Sequence, residues 1–183
     1  LMTQKNQQTL LLKGQGASPD GDQPFLDSWN PLSGESKRLW RSKPPHYEQI
    51  IQVLDPDKLS ILIRRESKEL PANYLLKDLE NQNEVQLTHF KHPFPDLALV
   101  QKQLIEYERK DGVKLNATLY LPPKYKKEDG PLPTIFWAYP REFKNPKAAG
   151  QVKGSPHSFV RISVWSPLIF VTQGYAVLDN AEM

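Results

Sequence analysis

A serine and a histidine lie close together near the end of the chain, in the segment Gly154-Ser155-Pro156-His157. A serine hydroxyl with a histidine base is the nucleophile pair of acyl-transfer enzymes, and many hydrolases present this serine on a Gly-x-Ser-x-Gly elbow. The sequence contains no such elbow, and residues adjacent in sequence do not normally form a catalytic triad. We therefore interpret the segment as a loop turn. We also predict that the nucleophile, acid and histidine of a triad are absent from this chain.

Three further histidines, His46, His89 and His92, lie in the first half of the chain, beside prolines or at predicted strand ends. No pair of them has the spacing of metal ligands on a helix, and the chain has no cysteine that could supply a thiolate ligand. We interpret all three as surface or interface residues. The sequence therefore predicts neither a metal site nor any other cofactor.

Two polar side chains come at the ends of apolar runs in the second half. Tyr139 follows the run 134–138, and Asp179 ends the run that begins at Gly174. Such runs are typical of neighbouring strands in a parallel sheet, where chemistry is found at the carboxyl ends of the strands. Tyr139 is therefore placed where a site could form, although the partners that it would need have not appeared before the end of the chain.

The elements that would position Tyr139 begin with a predicted hairpin. Residues 102–109 and 113–121 alternate in polarity, and the Asp-Gly pair between them is a strong hairpin signal. The run 134–138 is continuously apolar, which predicts a strand covered on both faces.

A short helix is predicted between this strand and the next. Ser166 and Pro167 have the residue types of a helix start, and residues 168–173 fill about two turns. Gly174 is placed to cap the carboxyl end. A hairpin, a buried strand, a short helix and a second buried strand predict the entry to an α/β fold whose first strands are antiparallel.

The first half, up to about Phe94, consists of short strands and turns. One hairpin pattern occurs twice: an aromatic or aliphatic strand, an Asn or Asp, a polar turn, and a strand that carries Leu39 or Leu87. The two copies are about 48 residues apart, and four-stranded units repeating every 40–50 residues or so are typical of β-propeller blades. A β-sandwich with coincidental hairpins is the alternative. The predicted strands are Thr9–Lys13, Phe25–Trp29, Ser36–Trp40, Tyr47–Leu54, Leu59–Arg65, Asn73–Leu79 and Glu84–Thr88.

Composition excludes several classes of protein. The 183 residues are 38% hydrophobic and carry a net charge of +3, which favours one or two folded domains over disorder. Lysines and acids are interspersed, as in residues 124–129, so we expect a solvated loop there and no nucleic-acid partner. No apolar run is long enough to cross a bilayer, and we expect no membrane partner. The absence of cysteine favours a cytoplasmic location.

Taken together, these motifs resemble the prolyl oligopeptidase family of serine peptidases, most of all its glutamyl endopeptidase branch from plants and cyanobacteria. The resemblance covers nearly the whole chain, and it is more specific in the second half than in the first. It is carried by Ile105-Glu106-Tyr107, Asp111-Gly112-Val113, Leu119-Tyr120-Leu121-Pro122-Pro123, residues 133–144 and 173–180, and more loosely by residues 14–19 and 86–90.

The resemblance implies a mixed fold in two parts. Residues 1–94 would be the last blades of a β-propeller, and residues 95–183 the N-terminal, truncated part of an α/β-hydrolase peptidase domain. A complete protein of this kind hydrolyses peptide bonds through an acyl-enzyme. The family's triad follows the order Ser, Asp, His, so Asp179 precedes the expected nucleophile and does not fit as the triad acid.

The family also has a tyrosine hydroxyl in its oxyanion hole, just after the first buried strand, and Tyr139 matches that position. Many relatives have a glycine-rich turn next, whereas this chain has Pro140-Arg141-Glu142. A packing role for Tyr139 is the alternative.

Cleavage after glutamate would need a cation to pair with the glutamate side chain. Arg141 or Arg161 could bind this carboxylate with two parallel hydrogen bonds. A surface ion pair is the alternative for either arginine.

These implications lead us to expect that the chain is an internal piece of a longer peptidase and is inactive by itself. Its partners would be a peptide substrate and the remainder of its own chain, in the cytoplasm or, in a plant, in the plastid stroma. Two other functions stay open. One is a non-catalytic interaction module built on the propeller, and the other is an esterase on the same scaffold.

Overall fold

A computed structural model describes residues 2–4, 8–138, 154–163 and 165–182 of the chain. The strands in this part of the chain form three sheets of four strands each. The first sheet contains β1 (Met2–Thr3), β2 (Leu10–Gly14), β3 (Phe25–Trp29) and β4 (Ser36–Arg41). The second contains β5 (Tyr47–Asp55), β6 (Ser60–Glu66), β7 (Asn73–Asp78) and β8 (Glu84–Gln86). The third contains β9 (Gln101–Glu108), β10 (Lys114–Leu121), β11 (Thr134–Ala138) and β12 (Ala176–Ala181). Short 3-10 helices cover Pro95–Leu97, Lys127–Asp129 and Pro167–Gln173.

The first two sheets are antiparallel meanders, with each strand paired to the next one along the chain. Their last hairpins turn in the same way. Asn30 Oδ1 accepts hydrogen bonds from the backbone N–H groups two and three residues ahead, at 2.9 and 3.2 Å, and Asp78 Oδ1 does the same at 2.9 and 3.0 Å. The four-stranded unit and the repeated turn are confirmed, and only β1 was not predicted.

One hydrophobic core joins these two sheets. Leu26 of β3 is 1% exposed, and Ile61 and Ile63 of β6 are completely buried. Burying a side chain of this size contributes about 1.5–3 kcal/mol, so these residues dominate the packing of the first half. The core consists of Leu11, Leu26, Trp40, Ile50, Val53, Ile61, Ile63, Leu75 and Leu79.

The third sheet mixes both strand directions, in the order β11-β12-β10-β9. β9 and β10 form the predicted hairpin, which turns at Gly112 with a φ of +84°. β12 runs antiparallel to β10 and parallel to β11, with Ile135 opposite Val177. The chain therefore leaves β11, crosses over, and returns between β10 and β11. This confirms the predicted change from antiparallel to parallel pairing.

The crossover includes the predicted short helix, which forms as a 3-10 helix over Pro167–Gln173. The Ser166 hydroxyl accepts a hydrogen bond from the N–H of Leu168 at 3.3 Å, and Gly174 ends the helix in the left-handed conformation. Leu168 and Val171 pack on the sheet against Val177. The helix therefore covers one face of β12.

The prediction that residues 134–138 are covered on both faces is wrong for this structure. Among the described residues, β11 pairs with β12 alone, so it is an edge strand. Phe136 and Trp137, which point to opposite faces of the sheet, are 53% and 51% exposed. An apolar run predicts a strand, but it does not reveal how many neighbours the strand will have.

Candidate functional site

The carboxyl ends of the two parallel strands lie side by side, as predicted. Trp137 is opposite Asp179, and Ala138 is opposite Ala181, with one residue bulged out between these pairs. The bulged residue, Asn180, has a φ of +51°. Bulges of this kind occur often beside active sites, where they change the direction of a strand end. Tyr139, which directly follows Ala138, lies outside the described residues, and so does Arg141.

The end of β12 is held firmly in place by Glu182, a residue that the sequence did not single out. Its side chain is only 4% exposed. One carboxylate oxygen accepts hydrogen bonds from the backbone N–H and the side-chain amide of Asn116, at 3.1 and 3.0 Å. The Tyr107 hydroxyl donates to the Glu182 carbonyl. Glu182 thereby ties the end of β12 to β10 and β9.

The Ser155 and His157 segment is a turn, as predicted. The Ser155 hydroxyl accepts a hydrogen bond from the backbone N–H of His157 at 3.1 Å, and the N–H of Ser158 donates to the Ser155 carbonyl at 3.1 Å. The hydroxyl therefore helps to close a turn. We call residues 154–158 the docking turn, because they connect the two halves of the molecule.

On one side the docking turn contacts the loop between β2 and β3. Asp22 donates its backbone N–H to the Gly154 carbonyl at 2.7 Å, and its carboxylate accepts from the Gly154 N–H at 3.1 Å. Gly21 has a φ of +103°, and a Cβ at this position would lie 2.9 Å from the Gly154 carbonyl oxygen and 2.8 Å from Pro156 Cδ. Glycine is therefore required at position 21 for the two halves to approach each other.

On the other side the docking turn is held by Lys102 of β9, which is 7% exposed. Its Nζ donates to the carbonyls of Ser155 and Ser158 at 3.0 and 3.1 Å and to the Ser158 hydroxyl at 2.5 Å. Burial lowers the pKa of Lys102 to about 8, and Lys68 adds repulsion, whereas Glu66 and Asp179 oppose the shift. The amino group therefore works mainly as a hydrogen-bond donor, since none of its three partners is a carboxylate.

A polar cleft of about 630 Å³ opens beside the docking turn, between the two halves of the molecule. His46 and His157 line it together with Lys43, Lys68 and Lys102, and two carboxylates, Asp20 and Asp22, line it as well. Burial lowers the pKa of His157, and the neighbouring positive charges of Lys68, Lys102 and His46 lower it further. At neutral pH this histidine is therefore held mainly in its uncharged form.

The predicted surface or interface positions of the other histidines are confirmed. His89 is exposed, and His46 is half-buried in the cleft. The ring of His92 packs edge-on against Phe159 at 4.7 Å, which places it at the contact between the two halves. Within the described part of the chain, no group of three His, Asp or Glu side chains could hold a metal ion. No helix among these residues is long and apolar enough to cross a membrane.

Arg161 lies in the described part and is exposed. It lines a separate groove of about 360 Å³ whose walls are mostly aromatic and proline side chains. The structure therefore places Arg161 at a surface where a ligand could reach it, but the distance from Arg161 to Tyr139 lies outside what is described.

Comparison with known proteins places the chain beside plant peptidases. No family model matches it. It is 44% identical over 181 residues to proteins named probable glutamyl endopeptidase, chloroplastic, from Oryza sativa subsp. japonica and Arabidopsis thaliana. These matches cover 93% of the chain but only 19% of each plant protein. The chain thus spans about a fifth of the length of its curated relatives.

A solved structure supports the same relationship at the level of the fold. Oligopeptidase B from Leishmania major superimposes on 96% of this chain with a TM-score of 0.56, at 10% sequence identity and over 23% of its own length. The three sheets thus occur together, in this arrangement, within a much larger peptidase. The 183-residue chain is a relative of the prolyl oligopeptidase family.

Proposed function

We propose that the chain is part of a serine peptidase and contains the junction between its two domains. Residues 1–94 are the last blades of a β-propeller, and residues 95–183 are the first part of an α/β-hydrolase domain. The observation that carries this proposal is the 44% identity to proteins named glutamyl endopeptidase over 93% of the chain. The repeated four-stranded sheets and the mixed third sheet are consistent with it.

The reaction that we propose for the longer protein is acyl transfer. A serine hydroxyl attacks the peptide carbonyl while a histidine takes its proton, and the tetrahedral intermediate then expels the amine to leave an acyl-enzyme. Water releases the acyl group in a second, similar step. This chemistry needs a nucleophile, a base and two donors to the oxyanion, most of which lie elsewhere in the longer protein. It needs no metal or organic cofactor.

Tyr139 is the one group of this machinery that we assign to the chain. Tyr139 directly follows β11, the position at which the resemblance to the family places an oxyanion-hole tyrosine, and its hydroxyl would donate to the oxyanion as negative charge develops. One such donor contributes about 3–4 kcal/mol of transition-state stabilisation in related systems. One of the two arginines, Arg141 or Arg161, is proposed to pair with an acidic side chain of the substrate. A plastid location is proposed from the names of the plant relatives.

The gene sequence beyond Met183 provides the first test. A Gly-x-Ser-x-Gly elbow within some tens of residues, followed by Asp and His, is expected for an enzyme. Their absence would instead support a propeller-based interaction module. Peptide and ester substrates, assayed on the longer protein, separate a peptidase from an esterase on the same scaffold.

Substituting Tyr139 tests its catalytic role. In the longer protein, Tyr139→Phe should lower kcat on a peptide substrate by about 10²–10³-fold and leave KM nearly unchanged, because the donor acts mainly in the transition state. Tyr175→Phe is the matched control, since Tyr175 precedes β12 at the opposite end of the parallel strands. Equal, small effects of the two substitutions would show that Tyr139 has a packing role.

A further inference from the structure

Three of the four histidines of the chain lie where its two halves meet. His92, in the linker between β8 and β9, packs its ring against Phe159. His46 from the first half and His157 from the docking turn line the polar cleft. Histidine is the side chain whose ordinary pKa, about 6.5, lies closest to neutral pH. The contact between the two halves therefore contains the groups that respond most readily to a change in pH.

The hydrogen bond of His92 fixes where its proton lies. Nδ1 accepts from the Phe94 N–H at 2.9 Å, so this nitrogen carries no proton and the neutral ring holds its proton on Nε2. Nε2 is buried and has no hydrogen-bond partner within the part of the chain that the structure describes. One ring nitrogen is thus already used as an acceptor, and the other is a donor shielded from water.

A second proton on His92 disrupts this arrangement. It must bind Nδ1, and both ring nitrogens of a charged histidine are donors. The new N–H would then point at the N–H of Phe94, so the hydrogen bond between them is lost. The charged ring would also keep a buried, unpaired N–H beside Phe159, and burying a charge without a partner costs free energy. Protonation therefore favours a linker in which the ring has left Phe159 for water.

His157 adds a second response of the same sign at the docking turn. Burial lowers the pKa of its ring, and the positive charges of Lys68, Lys102 and His46 lower it further. Charged and titratable groups from both halves line the cleft around it, namely Asp20, Asp22, Lys43, His46, Lys68 and Lys102. The lysines outnumber the carboxylates, so a proton on His157 adds to an existing excess of positive charge. Separating the halves moves the docking turn away from Lys68 and His46 and relieves this repulsion.

We infer that the contact between the two halves is sensitive to pH and weakens when His92 and His157 become protonated. In the joined form both rings take up a proton less readily than in water, because burial lowers their pKa. Above about pH 6.5 both rings are neutral in either form, and the contact keeps its full stability. As the pH falls below this value the separated form binds more protons, so the contact is progressively lost. The inference concerns the contact alone and does not depend on the proposed peptidase function.

Förster resonance energy transfer (FRET) measures whether the two halves separate. The chain has no cysteine, so Glu35→Cys in the first half and Glu128→Cys in the second provide the only attachment points for a thiol-reactive dye pair, and both positions are exposed. We expect the FRET efficiency to be constant above about pH 7 and to fall between about pH 6.5 and about pH 5. Circular dichroism, recorded at the same pH values, should show that the sheets remain folded.

Two results would overturn the inference. One is a FRET efficiency that stays constant over the whole pH range. The other is a fall in FRET efficiency that coincides with loss of the β-sheet signal, because the chain would then be unfolding as a whole.

Two substitutions of His92 remove its titration in different ways. His92→Asn keeps an acceptor for the N–H two residues ahead, as Asn30 provides in its own turn, whereas His92→Phe keeps a ring against Phe159. Each should remove about half or more of the fall in FRET efficiency, and adding His157→Asn should remove the rest. His89→Asn is the matched control, since His89 lies in the same linker and is exposed. A full fall in the doubly substituted chain, or equal effects of His92→Asn and His89→Asn, would refute the assignment.

The carboxylate of Asp22 also titrates at the contact and has to be distinguished from the histidines. It accepts from the Gly154 N–H at 3.1 Å, and burial raises the pKa of this carboxyl while the hydrogen bond opposes the rise. Asp22→Asn keeps an oxygen that can accept from Gly154 but carries no charge. The fall in FRET efficiency should remain in Asp22→Asn. If it disappeared instead, the titration would belong to Asp22 and the inference would be wrong.

Discussion

The first two sheets bury their inner faces against each other, whereas the third sheet leaves β11 half exposed at its edge. The core of the first half contains Ile61 and Ile63, both completely buried. In the third sheet, Phe136 and Trp137 are about as apolar, yet each is more than half exposed. Similar apolar strands therefore reach very different states of burial in the two regions.

The difference follows from where the contacts of each region originate. In the meanders each strand pairs with its sequence neighbour, so the sheet is complete within about 40–50 residues of chain. A mixed sheet instead depends on strands that are distant in sequence. We therefore propose that a further strand of the longer protein pairs with the free edge of β11.

The largest expected effect tests this contrast directly. Ile61→Ala in the first core should lower the free energy of unfolding of the chain by about 2–5 kcal/mol, because it leaves a cavity. Phe136→Ala should cost less than about 0.5 kcal/mol, since the side chain is 53% exposed. Urea denaturation of both variants gives the comparison. Equal losses would show that β11 is covered in the chain itself, and the contrast between the regions would then disappear.

The contact between the two regions is tested at Gly21. Gly21→Ala introduces a Cβ 2.9 Å from the Gly154 carbonyl oxygen, while Gly34→Ala, with a φ of +77°, meets no atom within 4 Å. Both variants experience backbone strain, but only the first disturbs the docking turn. Gly21→Ala should therefore be less stable than Gly34→Ala by about 1–3 kcal/mol. It should also make the two halves unfold at different temperatures, which differential scanning calorimetry would detect as two transitions. Matching stabilities would indicate that the docking turn contributes little.

A smaller effect depends on pH and on Lys102. The pKa of Lys102 is about 8 in the folded chain, compared with 10.5 for an unperturbed lysine. Between these two values the unfolded chain binds the proton more tightly, so the free energy of unfolding should rise with pH. The rise is at most about 1.4 kcal/mol per pH unit. Below pH 8 the amino group is charged although it is buried, and this burial of charge lowers the free energy of unfolding.

Lys102→Met removes this titration. Between pH 8 and 10 the stability of the unmodified chain, measured by urea denaturation, should therefore increase relative to that of Lys102→Met. Lys114→Met is the control, because Lys114 is exposed. A constant difference between the unmodified chain and Lys102→Met over this range would show that Lys102 titrates normally.

Much of the fold could be predicted from local signals in the sequence. Alternating polarity predicted the hairpin of β9 and β10, and Asn30 and Asp78 marked the same turn in two hairpins. Ser166 and Gly174 marked both ends of the 3-10 helix. These signals work because the interactions involved connect residues a few positions apart.

Contacts between distant residues could not be predicted in the same way. Lys102 was read as part of an alternating strand, and nothing nearby in sequence reveals its bonds to Ser155 and Ser158. The pairing of Asp22 with Gly154 joins positions in opposite halves of the chain. The family resemblance suggested that Arg161 could bind a carboxylate. Its aromatic surroundings could not be predicted, because they come from three segments that are far apart in the sequence.

We have proposed that this chain is part of a serine peptidase whose nucleophile lies outside residues 1–183. Labelling with a fluorophosphonate, which reacts with an activated serine, tests it most directly. The longer protein should be labelled when folded but not when it is denatured before the reagent is added, while the purified 183-residue chain should remain unlabelled under the same conditions. Labelling of the isolated chain, or a folded longer protein that does not react, would contradict the account.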